Sequence, residues 1–205
     1  MTALIIRGDA MHETLREALD MAQQLKKTID EPGLGIYGFG VAHLLDGDGK
    51  TKQLIPFANL VTTAGDQYCA KKIVALIGPN SPAAPTAANG MKLGTATTAA
   101  HKSTAGGADI ASGGYISGSN VAFDTGFATS SAVGGDAGWL STYKTTWPAG
   151  TATNATINEA AIVNDQGTNA TATAANTYSR AVISTVNKTS TDVLAITWNW
   201  KALGA

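Results

Sequence analysis

The sequence predicts a mainly β fold: an antiparallel, jelly-roll-like β-sandwich preceded by a small α+β module with one helix and a hairpin. Three observations predict it. Between Trp139 and Trp200 stand four short β-patterned runs, nearly free of charge and separated by turns of Thr, Asn, Gly and Ala. Charged residues are only 14% of the chain, against about 25% in ordinary soluble domains, and 23 glycines with abundant Ala, Thr and Ser take their place. Before residue 33 there is one persuasive amphipathic helix.

Residues 2–6 read as an edge strand, after which Asp9 is placed to cap a helix whose Met11, Leu15, Ala18, Ala22, Leu25 and Ile29 recur at spacings of four and three. Glu13, Arg16, Glu17, Asp20, Gln23, Gln24, Lys26 and Lys27 occupy its other faces, and Pro32-Gly33 ends it. The stripe is too short for a credible coiled coil. It predicts packing onto the chain's own domain, with a helix–helix contact between copies as the sharper alternative. From Ile36 to Phe57 an apolar run to Leu45, a turn at Asp46–Gly49 and a return from Lys52 predict a hairpin that Pro56 stops. Asn59–Thr63 is strand-like, and Gln67–Ile77 fits helix or strand, with its β-branched end favouring strand.

Pro79, Pro82 and Pro85 mark a loop or linker. The chain thus divides into a helix-plus-hairpin anchoring module over 1–78, a Pro-rich linker over 79–90 and a β-sandwich domain over 91–205. In the last of these, Gly90–Thr95 and Val121–Asp124 are strand-like, with long loops around them and a Gly/Ser/Ala-rich passage ending at Gly138. The four runs follow: Trp139–Trp147, Thr156–Val163, Tyr178–Ser184 and Val193–Trp200. In the last, Leu194, Ile196, Trp198 and Trp200 share one face; in the first, Trp139, Tyr143 and Trp147 do. Each buried aromatic removes roughly 150–250 Å² from water, or several kcal/mol at about 25 cal/mol per Å². These aromatics are expected to be core and not a glycan platform.

The chemistry-bearing patterns lack their context. Gly33-Leu-Gly35-Ile-Tyr-Gly38 matches the dinucleotide spacing, but a helix and Pro32 precede it and a hairpin follows, so no helix N-terminus meets a pyrophosphate. Asp46-Gly-Asp48-Gly49 begins like a calcium loop, yet Lys50 and Phe57 stand where ligands are required, and a tight turn accounts for it better. His12, His43 and His101 are scattered, no G-x-S-x-G elbow is present, and Cys69 is a lone cysteine without a disulfide or zinc partner. Glu159 and Asp165 are the only nearby acids of the sheet-rich half, and Glu159 reads as a strand-edge charge or a structural acceptor. Catalytic, cofactor-binding and metal-binding residues are therefore all expected to be none. A net charge of -1 gives no footprint for nucleic acid. The N-terminus lacks a signal-peptide run and no segment reaches a membrane span, so a soluble protein made in a cytoplasm is expected.

Five pieces carry a resemblance: Met91–Thr98, Thr142–Thr153, Ile157–Asp165, Ser179–Ser184 and Asp192–Trp198. They resemble, in order, the opening strand, the aromatic-x-Ala-Gly corner, the Thr-Ile-Asn-Glu strand and the closing strands of a β-sandwich in virion structural proteins of tailed bacteriophages. The resemblance spans about Asn59 to Ala205. It implies a homotrimeric capsid decoration (cement) protein or a tail or fibre component, and it brings no catalytic residue. Modest length and the N-terminal module favour the cement protein: one that binds the outside of an assembled capsid and bridges major capsid subunits. The alternative is a tail or fibre component binding a receptor or glycan.

Overall fold

The structure, a computed structural model, describes residues 17, 20, 36–75, 86–102, 108–110, 114–133 and 138–202. Its elements run β1 (Ile36–Leu45), β2 (Thr51–Val61), α1 (Thr63–Ala75), β3 (Gly90–Gly94), β4 (Val121–Ala122), β5 (Thr129–Ala132), β6 (Trp139–Trp147), β7 (Asn154–Val163), β8 (Thr177–Lys188) and β9 (Val193–Ala202). The fold is mainly β. The strands form one nine-stranded sheet in the order β4-β3-β7-β8-β2-β1-β9-β6-β5, and every neighbouring pair is antiparallel. Of the N-terminal helix stretch only Glu17 and Asp20 are described; both are helical and exposed, as their place off the apolar stripe requires.

Where the pattern suggested two stacked sheets, the strands run on into one curled sheet. β2 makes the turn: it pairs with β1 from Gln53 to Asn59, and its last residues Leu60 and Val61 pair with Arg180 and Ser179 of β8. The segment after β4 brings the far end of the sheet back. Asp124 N–H donates to Lys144 O of β6 at 2.8 Å, and its carboxylate accepts from Thr146 N–H (2.9 Å) and Thr146 Oγ1 (2.8 Å). Trp147 Nε1 donates to Ser119 O at 2.8 Å from the same side. β5 then continues along β6, pairing Thr129–Ala132 with Thr142–Trp139. One stretch of chain, 119–132, therefore joins β3 at one end of the strand order to β6 near the other, and the core lies inside the curl.

The alternation read from the sequence fills that core. Leu194, Ile196, Trp198 and Trp200 of β9 are all buried, with Tyr143 and Trp147 of β6 and Ala42, Leu44, Ile55 and Phe57 of the first hairpin. Phe57 meets Trp198 edge-on at 4.9 Å and Tyr143 meets Trp200 at 5.2 Å, geometries that favour the aromatic quadrupoles. Trp139 differs: it shares the face of Tyr143 but lies at the strand's start, beyond the covered core, and is 60% exposed. Gly40 is where β1 passes under the core. A Cβ there would come within 2.6 Å of Thr197 O on β9, so only a glycine fits against Phe57.

Several sequence expectations are corrected. Residues 63–75 are helix, not strand: Thr62 caps it, its Oγ1 accepting from Gly65 N–H at 3.1 Å, with Asp66 in the first turn and Lys72 in the last. Cap and dipole outweigh the β-branched end of the segment. Pro56 does not stop the hairpin; β2 runs on to Val61. It is tolerated because β8 pairs with β2 only at Leu60 and Val61, which leaves the ladder beside Pro56 one-sided. The Gly/Ser/Ala passage contains a strand, β5, that composition hides. The hairpin is also not set apart from residues 91–205, since β1 pairs with β9 continuously from Ile36↔Ala202 to Leu45↔Val193. The proline-marked residues 79–85 lie outside the described residues.

Asp124→Ala is expected to lower stability by about 1–3 kcal/mol, because it strips charge-assisted bonds from Thr146. That corresponds to roughly 2–12 °C in Tm for a chain of this size. Thermal unfolding followed by circular dichroism measures it; an unchanged Tm would show that the curl closes without this clasp.

Candidate functional site

The acids singled out by the sequence lie on β7 and just after it, and each is held by its own cation. Glu159 is fully buried, against Gly94 of β3 in the register. Its Oε2 accepts from Arg180 Nε at 2.8 Å and lies 2.7 Å from Nη2, while Oε1 accepts from Ala96 N–H at 3.1 Å. Arg180, equally buried, sends Nη1 to Thr98 O at 2.9 Å. The pair pins the 95–98 loop to the sheet. Burial pushes the Glu159 carboxyl above its ordinary value, and Arg180 and the Ala96 N–H pull it back. Gly94 is glycine because a Cβ would collide with the Glu159 carboxylate. Glu159 is thus the structural acceptor of the two roles the sequence allowed.

Asp165 serves a different group. Its Oδ1 lies 2.9 Å from Nζ of the fully buried Lys92, and its Oδ2 accepts from Asn176 Nδ2 at 3.3 Å. Lys92 also donates to Ala170 O at 3.1 Å. Around them Asn169 Oδ1 accepts from Tyr115 Oη and Gly118 N–H, both at 2.8 Å, and Gln166 and Asn120 exchange side-chain-to-carbonyl bonds of 2.7 and 3.0 Å. With both carboxylates committed to separate structural cations, neither is placed as the free acid or base of a glycoside-cleaving pair.

A third charged cluster builds the corner between β6, β8 and β9. Asp192 Oδ2 accepts from Lys52 Nζ and Thr189 N–H, both at 2.8 Å. Buried Lys188 donates to Asp192 O (2.7 Å) and Pro148 O (3.0 Å), and Gly150 N–H donates to Ser190 O at 2.8 Å. Gly150 has φ +80°, the left-handed turn that a glycine supplies at least cost. Burial lowers Lys188. For Asp192 burial works upward, but Lys52 and the Thr189 bonds outweigh it and the carboxyl lies below its ordinary 3.8.

The remaining motifs resolve into local structure. Asp46 Oδ1 accepts from Asp48 N–H (3.0 Å) and Lys50 N–H (2.8 Å), and Gly49 has φ +79°, so the sequence 46–49 is a tight turn closing its own bonds. Gly38, the last glycine of the dinucleotide-like pattern, lies in β1 facing Asn59; residues 33–35 are outside the described residues. His43 bonds Thr51 Oγ1 at 2.9 Å and is lowered by burial. His101 is exposed, and His12 lies outside the described residues. Cys69 is half-buried; burial, then Asp66, push its thiol up to about 11, so it is a poor nucleophile at neutral pH. Among the described residues no group of three or more His, Cys, Asp or Glu could hold a metal ion, and no helix is long and apolar enough to cross a membrane.

What the interior does not offer, one end of the sheet does. β5 presents Thr129, Ser130, Ser131 and Ala132, all exposed, along its position at the end of the strand order. Beside it Trp139 pairs with Ala132 on one side and with exposed Ala202 on the other. Trp139 is the one large apolar side chain exposed among the described residues. The sequence placed it in the core because alternation gives a side chain's face but not how far the cover extends along the strand.

No protein-family model, curated protein or solved structure matches this chain.

Glu159→Ala leaves Arg180 buried without its carboxylate and is expected to cost about 3–5 kcal/mol, whereas Glu159→Ala combined with Arg180→Met recovers part of the loss. Urea unfolding of both single variants and of the double variant measures it; a double loss equal to the sum of the two single losses would mean that the pair is not coupled. A second expectation concerns acid. Asp192 is lowered in the fold, so its contribution to stability is present above pH 3.8 and is lost as pH falls through its lower folded value. Asp192→Asn should flatten the stability-versus-pH curve in that window relative to the parent, read from urea midpoints at successive pH values.

Proposed function

We propose that this chain is a structural virion protein of a tailed bacteriophage: it binds the outside of an assembled capsid, as a homotrimer, and cements neighbouring major capsid subunits. The observation that carries the proposal is the exposed strand β5, whose Thr129, Ser130, Ser131 and Ala132 carry no charge and lie beside one exposed aromatic anchor, Trp139. Interfaces concentrate their energy in such buried-on-binding aromatics and are depleted of charge at their centres. The low charge of the whole chain and the phage-like pieces at Met91–Thr98, Thr142–Thr153 and Asp192–Trp198 point the same way. Catalysis has no part in this reading, because Glu159 and Asp165 are committed to Arg180 and Lys92.

Cementing then works by mass action. A protein that binds the assembled shell and not its separated subunits stabilises the shell by RT ln(1 + [L]/Kd) at each site, about 2.7 kcal/mol when its concentration is a hundred times Kd. Shells decorated with the chain are expected to disrupt at a higher temperature than stripped shells, and Trp139→Ala is expected to weaken decoration by about 2 kcal/mol or more. Calorimetry of both shell preparations, with binding measured by co-sedimentation, checks this. Equal disruption temperatures would end the cement reading.

Exposed Trp139 also favours a second reading, a tail or fibre component that stacks a sugar ring of a receptor glycan. Host-surface polysaccharide would then change the emission of Trp139, a response lost in Trp139→Phe. Silence toward polysaccharide together with shell binding separates the two.

A further inference from the structure

β5 is an open edge of the sheet. It pairs with β6 alone, from Thr129↔Thr142 to Ala132↔Trp139, and stands last in the strand order. The hairpin register shows which of its backbone groups are in use. Val133 N–H donates to Gly138 O at 2.9 Å, so these two form a hydrogen-bonded pair, and in an antiparallel ladder such pairs alternate with non-bonded ones. Along the register, Ser131 and Thr129 therefore turn their N–H and C=O groups to β6, while Ala132 and Ser130 turn theirs away from it. All of residues 129–132 are exposed, and they make no further hydrogen bond among the described residues. Elsewhere the edges are guarded. Along β3, Ile116 N–H donates to Leu93 O at 3.1 Å and Thr95 N–H to Gly114 O at 2.7 Å. Where β2 parts from β8, its edge carries Pro56, and Gln53 Nε2 donates across to Thr185 O at 3.4 Å. β5 has no proline, charge or bulge, the devices that ordinarily keep an edge from pairing.

We infer that β5 pairs with β5 of a second copy of this chain, antiparallel, about a two-fold axis at Ser131. The open groups are self-complementary. With Ser131 opposite Ser131 of the second copy, Ser130 meets the Ala132 of that copy and Ala132 meets its Ser130. Those are the residues whose N–H and C=O groups face outward, so every outward donor of one copy meets an outward acceptor of the other. The side chains agree with this register. Thr129 comes opposite Val133 of the second copy, a β-branched pair suited to a sheet, and no like charges meet across the seam. On the other face of the strand, Trp139 lies on the side of Ala132, its partner in the ladder, and of Ser130 of the second copy one strand further on. Both neighbours are small, so the exposed indole has room to lie across the seam and leave water.

A second copy is favoured over a foreign strand because any extended segment satisfies the backbone, but only this one brings the matched side chains in the register that the open groups dictate. A two-fold contact also closes on itself and ends the sheet at two copies, which an unguarded edge otherwise does not do. Strands of 4 residues make a short seam, well below the roughly 1,200–2,000 Å² of a stable interface, so the pairing is reversible and follows concentration. The inference concerns the free chain and survives the failure of the capsid reading. On a shell, the same contact would tie a copy in one trimer to a copy in the next.

Amide hydrogen exchange of the full, unsubstituted chain, read by NMR without shells present, tests it. The amides of Ser130 and Ala132 should gain about tenfold or more in protection between dilute and concentrated protein. Free exchange there at every concentration overturns the inference, and so does protection that is the same at every concentration. Protection that appears only when stripped shells are added gives the edge to a strand of the shell and overturns it equally. Ser130→Pro supplies a second reading, because it removes an outward N–H and leaves the bonds to β6 in place. The protein concentration at which Ala132 becomes protected should rise about tenfold or more in Ser130→Pro and stay where it was in Ser130→Ala. An unmoved midpoint in Ser130→Pro would sink the proposal.

Discussion

The closing of the sheet at Asp124 is the constraint on which the rest depends. A nine-stranded sheet with a strongly apolar inner face cannot lie open in water, and its two ends would each offer unpaired backbone groups. By placing one carboxylate on Thr146 N–H and Oγ1 and its own N–H on Lys144 O, Asp124 returns the β3–β4 end to β6 and seals the aromatic core between them. Trp147 is fully buried for the same reason: its indole N–H finds Ser119 O only when that segment is in place. β2 does the matching work on the other side of the curl, leaving β1 to reach β8 over its last two residues.

Within the closed sheet, charge acts as a fastener. Buried ion pairs are weak evidence of net stabilisation, because desolvation cancels much of the Coulomb gain, but each fixes a geometry that an apolar pair would leave loose. Glu159 and Arg180 tie the 95–98 loop, Lys92 and Asp165 tie the 169–176 stretch, and Lys188 with Asp192 ties the corner at Pro148. A chain so poor in charge thus spends several of its ionic groups inside. What it leaves outside on β5 is neutral, and that strand is the natural place to look for a partner.

Much of this was legible in the sequence, for reasons that differ by element. β6 and the first part of β9 alternate because one face is partly wet and the other meets the aromatic core, and period two survives in the residues, whereas β7 and β8 are buried on both faces over Glu159–Val163 and Thr177–Ala181 and read as apolar runs. α1 was misread because its stabilisation lies in Thr62, Asp66 and Lys72, at its ends, and its middle has no marked apolar stripe. β5 was invisible because four small residues on an exposed edge carry no hydrophobic signal. The placement of β1 and β2 at the centre of the sheet could not be read at all, since a register between residue 36 and residue 202 leaves no local trace. For the site, the readable signal was a Glu and an Arg each set in an apolar strand, Glu159 beside Ala160–Val163 and Arg180 beside Ala181–Ile183: opposite charges in neighbouring β runs are candidates to neutralise one another.

That same central pairing has a bearing on how the chain comes to be folded. Of the described strands β1 is the first a ribosome delivers and β9 comes after all the others, yet β1 is bounded by β9 from Ile36 to Leu45 and by β2 from Gly38 to Leu45. The early hairpin must therefore wait, with the edge destined for β9 uncovered, until residue 202 has emerged. Contacts so distant in sequence make for slow folding and a period of vulnerability to mispairing. A hydroxyl-rich, glycine-rich middle of the chain, poor in the β-branched runs that seed aggregates, is a composition suited to surviving that wait.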